Sequence, residues 1–232
     1  MLDILVMSFL AGIATLIGSG AVMIGGRPNR RSLALFLGAA AGIMTGVVLF
    51  DLIPSAYAYG SFTGTAGGFV LGVFVLFLLD NSFRVLVRNF YGMRHDNVFL
   101  RMGMLIAVGI ALHDFPEGVA IAAGYSAEAE LGLLIAVAIT LHNIPEGMAC
   151  TAPLWKGGIR RRHILLIIVA VSLVTPLGAL AGMWLFSVSP RLLSWLLAFA
   201  AGAMSYIVSM ELVPQAIRSS LCYSAVGIVA GL

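Results

Sequence analysis

The sequence predicts an all-helical integral membrane protein with eight transmembrane helices. Hydrophobic residues make up 61% of the chain and charged residues 10%, and the mean hydropathy is +1.06. A soluble domain is usually roughly half apolar and a quarter charged. Apolar runs of the roughly 20 residues that a spanning helix needs recur along the chain, with the basic residues between them. These observations exclude an ordinary soluble domain.

Seven apolar segments have spanning length, and an eighth begins near residue 220. The eighth is still apolar at Leu232 after about a dozen residues, so it is either short or truncated. We expect one transmembrane domain over 1–232, and Met1 leads into the first span without the features of a removable signal peptide. The predicted spans are 3–25, 32–53, 64–87, 99–124, 131–154, 164–187 and 190–213.

The basic residues predict the orientation of the chain in the membrane. All but one of the 13 Lys and Arg residues lie in or beside the connections 1–2, 3–4, 5–6 and 7–8, and the exception is Arg191. The positive-inside rule places these connections in the cytoplasm and both termini outside a cell membrane, in contact with lipid. The net charge of +3 therefore reflects topology, and we expect no nucleic-acid partner.

An internal repeat is visible at an offset of 160 residues. Residues 38–56 read GAAAGIMTGVVLFDLIPSA, and residues 198–216 read AFAAGAMSYIVSMELVPQA. The alignment pairs Asp51 with Glu211, and the same offset pairs Thr15 with Thr175. The two copies lie five crossings apart, so they must point in opposite directions through the membrane.

The repeat predicts an inverted-topology architecture. The two halves cover about 1–88 and 163–232, with helices 1–3 related to helices 6–8. Helices 4 and 5, within 99–154, fall between the halves. Inverted repeats of this kind are typical of alternating-access transporters.

The two central helices carry almost the same motif, ALHDFPEGVA at 111–120 and TLHNIPEGMA at 140–149. Residues four apart lie on one face of a helix, so each motif presents a histidine and a glutamate to a common side. Asp or Asn follows each histidine and adds an oxygen ligand. The candidate ligands are His113, Asp114 and Glu117 in the first motif and His142, Asn143 and Glu146 in the second.

Proline and glycine in each motif predict an irregular backbone at the same depth. Pro116 and Pro145 cannot donate backbone hydrogen bonds, so we expect a kink and a free carbonyl group in each helix. We expect Gly118 and Gly147 to let the two central helices approach each other closely.

Two imidazoles and two carboxylates in an apolar environment suit a divalent transition metal such as zinc, iron, cobalt, nickel or manganese. The alternatives are a hydrogen-bonded packing histidine, an ordinary proline kink, or a proton relay between His and Glu. The duplication favours a metal site, because a relay needs neither the second copy nor the adjacent amide.

The motifs LHDFPEG and LHNIPEG resemble the fourth- and fifth-span signatures of the ZIP family of metal transporters, HNxPEG and HxxPEG. The resemblance covers essentially the whole chain and indicates a short, prokaryotic-like form. It implies a ZIP fold in which helices 1–3 and 6–8 surround helices 4 and 5. It also implies a principal metal site formed by His113, Glu117, His142 and Glu146, with Asp114 and Asn143 joining the glutamates in a second site.

Three positions depart from the family pattern. Asp114 stands where the family usually has Asn, and Asn143 stands where an acid is frequent. Thr175 precedes Pro176 where many members have a glutamate. Asp114 and Asn143 together retain one negative charge with the sides exchanged, whereas Thr175 in place of the glutamate predicts a weaker second site.

The remaining candidates, for the metal pathway, are Asp51, Glu211 and Thr175. The equivalent places of Asp51 and Glu211 near the ends of helices 2 and 7 allow a role in guiding metal along the pathway, or a structural role. Asp80, near the end of the third span, is interpreted as a solvated residue.

The functional hypothesis is a carrier, not an enzyme, that takes divalent metal into the cytoplasm, with zinc foremost and iron, manganese, cobalt and cadmium as further substrates. We expect no cofactor apart from the transported metal. The ZIP resemblance implies the direction, an elevator-like motion of helices 4 and 5 against a scaffold containing helices 2 and 7, and a homodimer. The alternatives are an intramembrane metal-dependent hydrolase, for which no HExxH motif is present, and a proton-coupled carrier of a non-metal solute.

Overall fold

The computed structural model describes residues 1–91, 97–184 and 189–232. Within these residues the chain forms eight helices, and no residue lies in a β-strand. Seven of the eight are long and apolar enough to cross a membrane, whereas the last has 11 residues. The predicted all-α membrane fold is confirmed. The helices are α1 Leu2–Gly25, α2 Arg30–Tyr59, α3 Phe62–Tyr91, α4 Val98–Ala127, α5 Ala129–Lys156, α6 Arg161–Trp184, α7 Pro190–Ser219 and α8 Leu221–Gly231.

Helices α2 and α7 continue past the prolines near which the sequence predicts their ends. Instead of ending at 53 and 213, they reach Tyr59 and Ser219. Each contains a π-helical turn directly before its proline, at Val48–Leu52 and Val208–Leu212. In the wider turn each N–H bonds to a different carbonyl group from the one it reaches in an α-helix. The helix therefore continues although proline has no N–H to donate.

The helices pack in two groups. In the first, here called the site bundle, α1 lies along α5 and α6 lies along α4, while α4 and α5 pack on each other. In the second, called the flanking bundle, α3 lies along α7 and α8 lies along α2. The two bundles meet chiefly where α4 contacts α7 and where α5 contacts α2.

The glycines of the two motifs have a different role from the predicted one. A Cβ atom on Gly118 would collide with the carbonyl oxygen of Thr175 on α6, and one on Gly147 with that of Thr15 on α1. The prediction that these glycines bring α4 and α5 together is therefore wrong. They bring α6 into close contact with α4 and α1 into close contact with α5.

Candidate metal centre

The six predicted ligand residues lie at the centre of the site bundle and are all buried. His113, Asp114 and Asn143 are fully buried, and the most exposed of the six, His142, is 6% exposed. Both motifs lie within continuous helices, α4 across Pro116 and α5 across Pro145. In a membrane helix a buried ionisable group is costly and usually marks a functional site.

The histidine of each motif pairs with the glutamate of the other motif. The Nε2 atom of His113 lies 3.2 Å from Oε2 of Glu146, and Nε2 of His142 lies 3.2 Å from Oε2 of Glu117. The sequence predicts that these four residues face a common side. The structure brings them together and adds that the hydrogen bonds cross between α4 and α5.

Asp114 completes a compact set of ligand atoms. Single ligand atoms of His113, Asp114 and Glu146 all lie within 4.8 Å of one another. Metal–ligand bonds of about 2.0–2.2 Å put neighbouring ligand atoms roughly 3–4.5 Å apart, so a small shift would let these atoms share one ion. His142 and Glu117 form the other pair of the centre.

Several buried oxygen atoms in the centre have no hydrogen-bond partner among the described residues. They are Oδ1 of Asp114, Oε1 of Glu117, Oε1 of Glu146 and Oδ1 of Asn143. A buried carboxylate oxygen without a partner is unfavourable, because it has lost its hydration without replacement. A cation in the centre would satisfy these oxygens.

Helices α1 and α6 hold the residues that follow the histidines. The Nδ2 atom of Asn143 donates to the carbonyl oxygen of Ala11 at 2.9 Å, and the hydroxyl of Thr175 donates to Oδ2 of Asp114 at 3.3 Å. Thr175, a pathway candidate from the sequence, therefore contacts a candidate ligand. Sequence reasoning missed Thr15 and Ser172, whose buried hydroxyl groups on the same helices also lack a partner among the described residues. The signal that could have found both is a polar residue within an apolar run.

Asp51 lies at the mouth of a small cavity that reaches the centre. The cavity has a volume of about 60 Å³ and is lined by Asp51, Ser55 and Glu117, together with apolar residues of α4, α5 and α7. Asp51 is exposed and accepts a hydrogen bond from Ser55 at 3.1 Å. These lining residues come from the end of the molecule that carries the α4–α5 turn.

Glu211, the repeat partner of Asp51, lies at the other end of the molecule. It is 4% exposed, and its Oε1 atom lies 2.8 Å from Nη1 of Arg101. Arg101 also pairs with Asp80, which is 3% exposed. The interpretation of Asp80 as solvated is therefore wrong, because α7 and α4 cover it. The pathway role predicted for Glu211 stays a prediction.

Fold and centre together define a multi-pass membrane protein with a buried histidine–carboxylate site between two central helices. A family model described as ZIP zinc transporter matches residues 91–232. The chain belongs to the ZIP family. The family description and the names of its relatives are those of transporters, which confirms that the chain is not an enzyme.

Three relatives illustrate the similarity. The zinc transporter ZupT of Stenotrophomonas maltophilia (strain R551-3) is 34% identical, over 98% of this chain and 91% of its own length. The zinc transporter GufA of Myxococcus xanthus is 35% identical over 53% of this chain, and the match spans about half of that protein, 49%. The zinc transporter ZupT of Chlorobium luteolum is 42% identical over 60% of this chain and 53% of its own length.

Proposed function

We propose that the chain carries divalent transition metal ions across the cell membrane into the cytoplasm, with zinc as the principal substrate. Family membership and relatives named zinc transporters support this substrate class. The observation that carries the proposal is the buried centre, in which cross-paired histidines and glutamates meet three carboxylate oxygens without partners among the described residues.

The donor set suits a transition metal better than magnesium or calcium. Imidazole nitrogen favours transition metals such as zinc and iron, whereas magnesium and calcium prefer oxygen ligands alone. Cobalt, manganese and cadmium are further proposed substrates. The Nδ1 atom of His113 lies 3.0 Å from the carbonyl oxygen of Gly109, so a proton on Nδ1 is donated there and Nε2 is left facing the centre. The carboxylates of Asp114, Glu117 and Glu146 supply the negative charge that a dication needs in a buried site.

A second metal position beside the first would use Asp114 and Asn143 with the two glutamates. Asn143 is neutral, and its amide nitrogen is held by the carbonyl group of Ala11. Thr175 contributes only a hydroxyl, which donates to Asp114. We therefore propose that the second position binds metal more weakly than the first.

Movement of the site bundle against the flanking bundle is the proposed transport step. Glycines bring backbones into contact within each bundle, for example α1 with α5 at Gly147 and α2 with α8 at Gly42. Between the bundles, Gly109 on α4 faces the end of the Ile207 side chain on α7, which can shift more easily than backbone. This difference supports two units that slide as rigid bodies, as in an elevator.

The packing also supports the proposed inverted repeat. Helix α1 lies along α5 as α6 lies along α4, and α3 lies along α7 as α8 lies along α2. A two-fold relation between helices 1–3 and 6–8, which also relates α4 to α5, converts the α1–α5 pair into the α6–α4 pair and the α3–α7 pair into the α8–α2 pair. The π-helical turns of α2 and α7 fall at equivalent positions of the repeat.

The cavity at the α4–α5 end supports an access route in which Asp51 attracts the incoming cation toward Glu117. With the α3–α4 connection in the cytoplasm, this end faces outside together with both termini. A homodimer in the lipid bilayer completes the proposal, by resemblance to the family.

Uptake of zinc by the full-length chain in proteoliposomes tests the proposal. Glu117→Ala and Glu146→Ala are each expected to lower uptake by roughly 100-fold, since an uncompensated charge in a buried site costs several kcal/mol. Glu130→Ala removes the same group from an exposed position at the α4–α5 turn and serves as the matched control, with uptake within about twofold of the unchanged chain. Equal losses in all three variants, or normal uptake in all three, contradict the proposal.

A further inference from the structure

A buried ion-pair cluster joins three helices at the α3–α4 end of the molecule. Arg101 on α4 pairs with Asp80 on α3 and with Glu211 on α7, the latter at 2.8 Å. The two carboxylate side chains are each 4% exposed, and the side chain of Arg101 is 12% exposed. We call the cluster of Asp80, Arg101 and Glu211 the ionic lock.

Two further polar groups among the described residues bond to the lock, and both belong to the flanking bundle. The hydroxyl of Tyr206 on α7 donates to Oδ2 of Asp80 at 3.1 Å, and Arg84 on α3 pairs with the same oxygen at 2.8 Å. Among the described residues that form these bonds, Arg101 alone comes from the site bundle. The flanking bundle therefore presents two acids that are held in place, and the site bundle supplies the cation between them.

Arg101 is well separated from the metal centre. It precedes His113 by twelve residues along α4, which at about 1.5 Å per residue places it roughly 18 Å away along the helix axis. A cavity of about 270 Å³ at this end is lined by Arg101 and Glu211 and by none of the candidate metal ligands. At the opposite end, the cavity beside Asp51 does reach Glu117. The ion pairs of the lock are thus formed in a structure in which the cavity at the α4–α5 end adjoins the candidate metal centre.

We propose that Arg101 is a positioning residue that fixes the site bundle in the outward-accessible state, and that its bonds to Asp80 and Glu211 must break before the bundle moves to release metal inward. The inference rests on the proposed function, because it needs a moving site bundle. A displacement of α4 along α3 and α7 that exceeds the reach of the Arg101 side chain separates Arg101 from both acids. Removing the guanidinium group favours the other state, because the outward-accessible state then leaves two neighbouring carboxylates buried without it.

Thiol labelling of the cavity at the α4–α5 end measures the population of the outward-accessible state directly and needs no metal flux. Ala123 on α4 lines this cavity, so in a background with Cys150→Ala and Cys222→Ser the variant Ala123→Cys reports on accessibility. In nanodiscs, Arg101→Met is expected to slow labelling by a water-soluble maleimide about threefold or more, as the outward-accessible population falls. Arg101→Lys is expected to restore most of the rate.

Arg218→Met is the matched control. Arg218 lines the same cavity as Arg101, and no ion pair to it is found among the described residues. The labelling rate of this variant is expected to stay within about 1.5-fold of the parent. An unchanged rate in Arg101→Met, or an equal decrease in Arg218→Met, overturns the proposal. If Arg101→Met does not fold, Glu211→Gln replaces it. This variant keeps the pair between Asp80 and Arg101, so a smaller decrease in labelling rate is expected. A labelling rate that does not decrease overturns the proposal.

Zinc titration separates this inference from the proposed function. Arg101→Met is expected to bind zinc within about twofold of the parent, because the lock lies far from the ligands, whereas Glu117→Ala is expected to lose binding. A parent chain that neither binds nor transports zinc refutes the proposed function but leaves the labelling difference as a valid test of the lock.

Discussion

Gly147 offers a quantitative test of how α1 supports the metal centre. A Cβ atom at this position would lie 2.8 Å from the carbonyl carbon of Thr15 and 3.1 Å from its Cα atom, with the carbonyl oxygen closer still. Carbon atoms in favourable contact are about 3.5–4.0 Å apart. These neighbours are backbone atoms, so Gly147→Ala must push α1 away from α5 rather than turn a side chain.

The change in the free energy of unfolding caused by this displacement is the sum of three contributions. Overpacking of a close interface typically costs about 1–3 kcal/mol. Separation of α1 from α5 also weakens the 2.9 Å bond from Asn143 to Ala11, which contributes about 0.5–1.5 kcal/mol. Alanine regains about 0.5–1 kcal/mol over glycine within a helix. We expect a net destabilisation of about 0.5–4 kcal/mol and weaker zinc binding, because Asn143 is one of the candidate ligands.

Thermal unfolding in detergent, followed by zinc titration, measures both effects. Gly20→Ala is the matched control, since a Cβ atom on Gly20 of α1 meets nothing within 4 Å, and this variant should be as stable as the parent or slightly more stable. A Gly147→Ala protein as stable as Gly20→Ala, with unchanged zinc affinity, would refute the packing argument.

Three further predictions concern the second metal position, pH and topology. Asp114→Ala should lower zinc uptake only partly and leave one strong site in calorimetric titration, and loss of all zinc binding would show that the two positions are not separable. Uptake at constant free zinc should fall as the pH drops below neutral, because protonated His113 and His142 cannot bind metal; uptake that rises on acidification argues against imidazole ligands. Cysteines placed at 160–162 should react with an impermeant reagent only from the cytoplasm and those at 128–130 only from outside, and labelling of both segments from one face would contradict the orientation.

The sequence predicts the helices and the set of candidate ligand residues because both depend on local patterns. Apolar length gives the spans, and the four-residue spacing puts His113 with Glu117 and His142 with Glu146 on single helix faces. The pairing across α4 and α5 depends on how the two helices are rotated toward each other. Helical periodicity within one segment carries no information about that rotation.

Two predictions are wrong because they rest on apolar length alone. The sequence predicts that α2 ends at 53 and α7 at 213, although a π-helical turn before Pro54 and before Pro214 lets each helix continue. The sequence also predicts a solvated Asp80 near the end of a span, although Arg101 from α4 covers it. The π-helical turn is a backbone feature that apolar length does not reveal, and the burial of Asp80 depends on a neighbouring helix whose position a single apolar segment does not encode.

The zinc coordination shell, measured by X-ray absorption spectroscopy on the loaded full-length protein, tests the central claim that the two motifs form one metal site. The account predicts a mixed shell of nitrogen and oxygen with two imidazoles in the parent, and one imidazole in each of His113→Ala and His142→Ala. A parent shell without imidazole, or a shell unchanged in both variants, would contradict a site built by α4 and α5 together.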